Sequence, residues 1–405
     1  MNLLLMTVLF APATFAAPGP SSLDKFLASA WGDHKVTLQQ KNVAEFGKSS
    51  GFKPLEGAQL ILSQNEVVED QKIALRFLPR GWTQDRLIRT LSAGQNRIEA
   101  LNSQKAVTQS LLERYMAAAE YMSAFEVHRL WASIATLRSK RLSMLQVAAR
   151  SSQSRAVDLV KQREETEQSD VKAVMADSEL RMALVKMKAL DPSFSPSTVL
   201  SSDLPTPADM LKVVVTSKPE TAFAPQLARE NAARAHDTFD YEIAKDERFL
   251  QFVEFSYTQQ KVDKDKQFGV KVEFNIPGFA STEPNRSEKA RELVKYEVEA
   301  REAQRKEAIL QAEAKESLML AADLYKSLAS IGDRPSEKRM RRLVGQQDPL
   351  LSITLDEEGL QRQIHQQEIS AKALSSYFSF LAASGALASR STTNFLSKDL
   401  REIRL

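Results

Sequence analysis

The sequence predicts a mainly α-helical protein with a small β part, in which long helical hairpins and β-hairpins each occur twice. Three observations carry this. The run from Thr83 to Leu190 has no proline, a single glycine (Gly94), and a high density of Ala, Leu, Gln, Glu, Lys and Arg. A helix from Thr83 to about Arg150 would be on the order of 100 Å long, deeper than any globular core, so it must belong to a coiled coil, a helical hairpin or a tunnel wall. Short segments in each half alternate apolar with polar residues, the period of a strand. Finally, IALRFLPRGW (Ile73 to Trp82) lines up with VKVEFNIPGF (Val270 to Phe279), Pro79 matching Pro277, a repeat of about 198 residues. That period is too long for a solenoid and fits one duplication.

The chain divides accordingly. Residues 1–16, MNLLLMTVLFAPATFA, are a short apolar run closed by small residues, expected to be a signal peptide for export and too short to span a membrane. The first repeat is expected over 17–190. It begins with a helix over Ser22 to about Phe46, capped by Ser22 or Asp24, with Leu23, Phe26, Leu27 and Trp31 on one face. A β-hairpin over 57–79 follows, its strands at Gln59–Gln64 and Lys72–Leu78. The long helical hairpin spans 83–190. Its rod runs to about Arg150, its return starts at about Ser169, and its tip is expected in Gln162–Gln168. A Pro- and Ser-rich linker occupies 191–207. The second repeat, 208–387, has helices from Ala208 and Glu220, a β-hairpin over 249–277 and a long helical hairpin over 287–387. In that hairpin the return begins near Leu355, and residues 388–405 read as a loose polar tail.

Composition excludes much. There is no cysteine, hence no disulfide frame, thiolate site, cysteine nucleophile or lipidated N-terminal cysteine. The four histidines (His34, His128, His236, His365) are far apart and match no metal spacing. No phosphate loop, GxSxG or paired-carboxylate arrangement is present, so neither enzyme activity nor a cofactor is expected. The 55 basic and 52 acidic residues nearly balance, which leaves no nucleic-acid footprint. Charges scattered along the long helices read as a solvated face.

The strands carry the informative signal. Ile73, Leu75 and Phe77 share one face of the first hairpin. In the second, Val253, Phe255 and Tyr257 share a face, as do Val270, Val272, Phe274 and Ile276. Such alternation fits a hairpin on a soluble core or a membrane barrel with an apolar outside. Four strands cannot close a barrel, and an open edge in lipid is not viable, so the membrane reading requires several copies. Three copies give twelve strands, a usual barrel size. Phe249–Gln259 and Phe268–Ile276 have the length to cross a bilayer, whereas Gln59–Gln64 does so only if it extends.

Taken together, the sequence resembles the TolC-like outer-membrane efflux proteins over nearly the whole mature chain. The junctions FLPRGW (with Pro79, Gly81 and Trp82) and FNIPGF (with Pro277, Gly278 and Phe279) are similar to the family's strand-to-helix turn. SDVKAVMADSEL (Ser169 to Leu180) resembles its first returning helix, and Val344 to Leu387 its second. The resemblance implies a homotrimer with a twelve-stranded β-barrel in outer-membrane lipid and an α-helical tunnel across the periplasm. It implies passive export, with a periplasmic adaptor and an inner-membrane transporter as partners, in drug efflux or type I secretion. It also implies a gate of interhelix bonds at the helical tips, onto which Asp170, Val344 and Gly345 carry over. The second tip departs from the family's Arg and paired Asp, leaving Arg341, Arg342, Asp348 and Asp356 as nearby charges. The alternatives are a periplasmic coiled-coil adaptor, against which two hairpins and the lack of lipoyl-like halves argue, and a non-conducting scaffold of the same fold.

Overall fold

Polar, proline-containing breaks cut the chain into the elements that periodicity predicts. A computed structural model describes residues 22–46, 55–65, 70–149, 156–195, 204–216, 222–246, 249–260, 266–274, 283–332 and 349–403. Helix α1 (Ser22–Ala28), a 3-10 turn (Ser29–Gly32) and α2 (His34–Phe46) lead into strands β1 (Leu55–Asn65) and β2 (Asp70–Pro79). Helix α3 (Trp82–Ala149) is 68 residues long, roughly 100 Å. Gly81 starts it: its N–H donates to Gln84 Oε1 at 2.9 Å and its carbonyl accepts from Asp85 at 3.0 Å. Pro79, which cannot donate to a ladder, closes β2. Helix α4 (Ala156–Leu190) returns along α3. The second half follows with α5 (Pro207–Thr216), α6 (Phe223–Asp246), β3 (Leu250–Gln260), β4 (Lys266–Phe274), α7 (Glu283–Gly332), α8 (Pro349–Ala383) and α9 (Ala386–Ser389).

The four strands form one antiparallel sheet in the order β1-β2-β3-β4. β2 and β3 join the halves, with Arg76 opposite Glu254 and Leu75 opposite Phe255. Away from the sheet, α3 packs on α6 and then on α4 and α8, while α7 packs on α6 and α8. The main core lies at mid-length, where Phe26, Leu27, Leu111, Tyr115, Met187, Met210, Leu318 and Phe378 are fully buried. Tyr115 stacks on Phe378 with ring centroids 4.8 Å apart. A smaller cluster farther along α3 joins Leu130 and Ile134 to Ile364 of α8, with Trp131 and Leu360 against it.

Four expectations change. The first long hairpin does not turn at Gln162–Gln168, because α4 is unbroken from Ala156 to Leu190 and runs back along α3, which ends at Ala149. REETEQSD has no helix breaker and is laced by i,i+4 pairs, Arg163 with Glu167 at 3.2 Å and Lys161 with Glu165 at 4.0 Å. Ser169 therefore caps nothing: it is buried mid-helix and its hydroxyl donates to the Thr166 carbonyl at 2.7 Å. The second return begins at Pro349 rather than near Leu355, since proline suits the first helical position, where its missing N–H would have no partner anyway. β1 reaches 11 residues, nearly twice the predicted run, because pairing with β2 recruits Leu55–Ala58 and Asn65. The tail from 388 is not loose: Phe395, Leu396 and Ile403 are buried, and Thr393 bridges Glu402. Its few apolar residues are aimed into one site, which local composition does not reveal. The expected signal peptide and most of the linker lie outside the described residues.

Candidate functional site

The sheet is built inside out for a soluble protein. Register places Leu60, Leu75, Phe255 and Val270 in one row, and Leu62, Ile73, Tyr257 and Phe268 in the next. A third row holds Ala58, Phe77, Val253 and Val272. This apolar face is the exposed one: Leu62 is 69% exposed and Phe268 83%. Every described strand residue that the sequence marked as lipid-facing (Ile73, Leu75, Phe77, Val253, Phe255, Tyr257, Val270, Val272 and Phe274) lies on it, and Ile276 lies outside the described residues. Aromatic pairs bracket it. Phe249 and Phe274 meet at 5.0 Å near the helical end, and Tyr257 and Phe268 at 5.1 Å near the β3–β4 turn.

The opposite face carries the charges, with Gln59, Arg76, Glu254 and Lys271 in one row and Ser63, Lys72, Thr258 and Gln267 in another, and the small or apolar Ile61, Ala74, Ser256 and Gly269 between them. Glu254 is only 2% exposed. It accepts from Lys72 Nζ at 2.9 Å and from Arg76 Nη2 at 2.7 Å and Nε at 3.0 Å. The Arg76 guanidinium also sits 4.0 Å from the Phe252 ring centroid, with Lys271 Nζ 5.2 Å from the same ring. A water-soluble hairpin hides its apolar face and wets its charges. This sheet does the reverse, with its apolar rows exposed and Glu254 buried between Lys72 and Arg76.

The second feature lies far down the rod, roughly 80 Å from the sheet at 1.5 Å per residue. There Arg138 of α3 pairs with Glu357 of α8 and donates Nη1 to the Glu165 carbonyl of α4 at 2.5 Å. Its Nε reaches Glu357 Oε1 at 2.6 Å. Both side chains are nearly buried, and Gln361 adds a bond to Glu357 at 3.3 Å. One arginine thus ties the first hairpin to the second. Around it the α3–α4 contact turns polar: Gln162, Thr166 and Ser169 are buried, and the Arg141 and Glu165 side chains approach within 3.9 Å.

The tip residues named from the sequence fare differently. Asp170 is exposed within α4, several turns from the reversal, because the return starts at Ala156. Asp356 lies next to Glu357 in α8, exposed, beside the pair but not in it. Arg341, Arg342, Val344, Gly345, Asp348, Pro277, Gly278 and Phe279 lie outside the described residues. Arg138, Glu165 and Glu357 were missed because charges on long helices read as solvated, and nothing local shows which one faces a partner 219 positions away. Among the described residues no His, Asp or Glu cluster could hold a metal, and no helix is long and apolar enough to cross a membrane.

No family model and no curated protein matches the sequence. Solved structures do match in shape. The open-state MtrE outer membrane channel of Neisseria gonorrhoeae has a TM-score of 0.68 at 12% identity, covering 94% of this chain and 91% of that one. The outer membrane protein VceC of Vibrio cholerae has a TM-score of 0.63 at 12% identity, covering 90% and 96%. The CmeC outer membrane channel of Campylobacter jejuni has a TM-score of 0.59 at 12% identity, covering 99% and 96%.

Proposed function

We propose that this chain, which has the fold of the TolC-like outer-membrane channels, is a passive export duct across the outer membrane and periplasm. The observation that carries the reading is the inverted sheet, apolar where exposed and charged where buried. Three copies supply twelve strands, enough for a closed barrel in lipid. The α-helical wall continues from it as a tunnel, and a periplasmic adaptor and an inner-membrane transporter engage the far end. The chain itself does no chemistry; energy and substrate choice come from its partners.

The Arg138–Glu357 latch, with its contact to Glu165, is the gate candidate in place of Asp170. It sits near the far end, spans both hairpins and is shielded from water, where a broken pair costs about 3–5 kcal/mol. Exposed pairs such as Arg163–Glu167 are worth about 0–1 kcal/mol and could not hold a gate singly.

Membrane fractionation followed by planar-bilayer recording tests the duct. The expected result is an oligomer in the outer-membrane fraction with discrete conductance steps. A monomer confined to the soluble fraction would overturn the proposal, because four strands leave two unpaired edges. An outer-membrane oligomer without conductance would leave a non-conducting scaffold of the same fold.

A further inference from the structure

We infer that the charged face of the sheet is an anion-attracting belt, in which Lys72, Arg76 and Lys271 favour passing solutes that carry a carboxylate, sulfonate or phosphate group. The inference rests on the duct reading, which turns this face toward a lumen, but its charges come from the fold. In the three successive rows from that of Arg76 to that of Lys72, three cations stand against a single carboxylate, Glu254. The other acids in register on this face lie outside those rows. Glu273 is one row nearer the helices, with its carboxylate 3.3 Å from Lys271 Nζ, and Asp70 is one row nearer the turn. One cation neutralises a buried carboxylate, so of Lys72 and Arg76 one is surplus to the fold.

Exposure separates the signs. Glu254 is buried, whereas the Lys72 and Lys271 side chains are 39% and 61% exposed. Glu254 engages both oxygens beneath the cations, Oε1 with Lys72 and Oε2 with two donors of Arg76. N–H groups on both heads are left without a partner among the described residues. The carboxylate thus holds side by side two like charges of β2 that would otherwise repel each other. Lys72 reaches it by running along the strand past Ala74, which is fully buried. Ala74, Ser256 and Gly269 keep the row between the two cation rows low, and a Cβ on Gly269 would come within 2.8 Å of Ser256 Oγ. On β2, β3 and β4 no bulky side chain of that row stands between these heads and a solute. The Phe252 ring lies 4.0 Å from the Arg76 guanidinium and 5.2 Å from Lys271 Nζ, which holds both cations on the wall without neutralising them. A low-dielectric wall lined by one sign of exposed charge raises the local concentration of the opposite ion.

The chain has no cysteine, so one introduced thiol reports the local potential without background. Thr258→Cys places it on this face directly opposite Lys72, roughly 5 Å away across the strand pair. The full-length variant, in isolated membranes at about 10 mM salt, where screening reaches only over about 30 Å, is treated with two methanethiosulfonates of similar size. One ends in a sulfonate and the other in a trimethylammonium group. The ratio of their rates is divided by the same ratio for free cysteine, which cancels the thiol's own reactivity. We expect the sulfonate to be favoured about fivefold, and the preference to fall below about twofold when Lys72→Gln and Lys271→Gln are added. Glu254 keeps its Arg76 bonds in that variant, and Lys271→Gln alone, on the more exposed of the two lysines, serves as the second test. Zero-current potentials across a potassium chloride gradient read the same preference in the channel, with chloride expected to be favoured over potassium and the lysine variants to reduce it. A rate ratio equal to that of free cysteine, or one that both lysine variants leave unchanged, overturns the inference whether or not the protein conducts. A raised ratio in a protein without conductance upholds the anion-attracting face and overturns the duct. A raised ratio in a channel that prefers potassium overturns the selection of anionic solutes by this belt.

Discussion

At the scale of single residues, three sites of buried polar groups decide most. Arg138 and Glu357 satisfy each other across two hairpins, so removing one leaves the other buried without its charge partner. Arg138→Ala is expected to destabilise the described arrangement by about 3–5 kcal/mol and to raise the open fraction of the reconstituted channel severalfold. Single-channel recording checks this, with Arg163→Ala, on an exposed pair, as the variant expected to change little. Tyr115 is the second. Its hydroxyl donates to the Thr393 carbonyl at 2.8 Å and accepts from the Phe395 N–H at 3.2 Å, holding the C-terminal segment against the rod. Burial pushes its pKa above the ordinary tyrosine value, so it remains a neutral donor across the working range. Tyr115→Phe leaves a buried N–H without its acceptor and should cost about 1–3 kcal/mol, measured by thermal unfolding. It should also release the tail to protease ahead of global unfolding. Glu254 is the third, the only carboxylate held at once by Lys72 and Arg76 among the described residues.

At the scale of elements, faces and ends do the work. The sheet's two faces differ in chemistry row by row, so substitutions on them should differ in kind. Val270→Lys places a charge on the apolar face and is expected to cost about 2–4 kcal/mol if that face meets lipid, falling toward the interfaces. Gln267→Lys, on the polar face, should cost little. Folding titrations in lipid or detergent compare the two, and equal effects would deny that the faces see different solvents. Helix α5 starts with a reciprocal cap. Thr206 Oγ1 donates to Asp209 Oδ2 at 2.8 Å, and Asp209 N–H returns a bond to Thr206 Oγ1 at 3.3 Å. The Thr206 hydroxyl bond, outweighing the opposing effect of burial, lowers the Asp209 pKa below the ordinary carboxylate value. A lowered folded-state pKa means stability that is complete above the unfolded pKa, near 4, and is lost as pH falls through the folded one. Asp209→Asn should therefore cost about 1 kcal/mol at neutral pH and much less at pH 3, read from thermal midpoints at both.

At the scale of the whole molecule, the sequence by itself determined the duplication, the long rod and the apolar strand rows. These rest on local periodicity: 3.6 residues per turn, two per pleat, and Pro and Gly at the junctions. Hence α3 was legible almost to the residue, from Thr83 in the reading to Trp82 in the fold. The apolar set from Ile73 to Phe274 was legible as well. Tertiary structure decided where charges and ends go. Whether α4 begins before or after Gln162–Gln168 depends on packing along α3, since that stretch has helix formers enough to extend either way. Which of many carboxylates meets Arg138 depends on two hairpins lying side by side, and Glu357 differs in no local respect from its exposed neighbour Glu358. Whether the polar tail docks depends on a pocket built by Tyr115, Tyr377 and Phe378, residues far from it in sequence. A pattern of period two or 3.6 tells which side of an element avoids water, because that is a property of the segment alone. The partner that covers that side is a property of distant segments brought together, and only the folded chain specifies it.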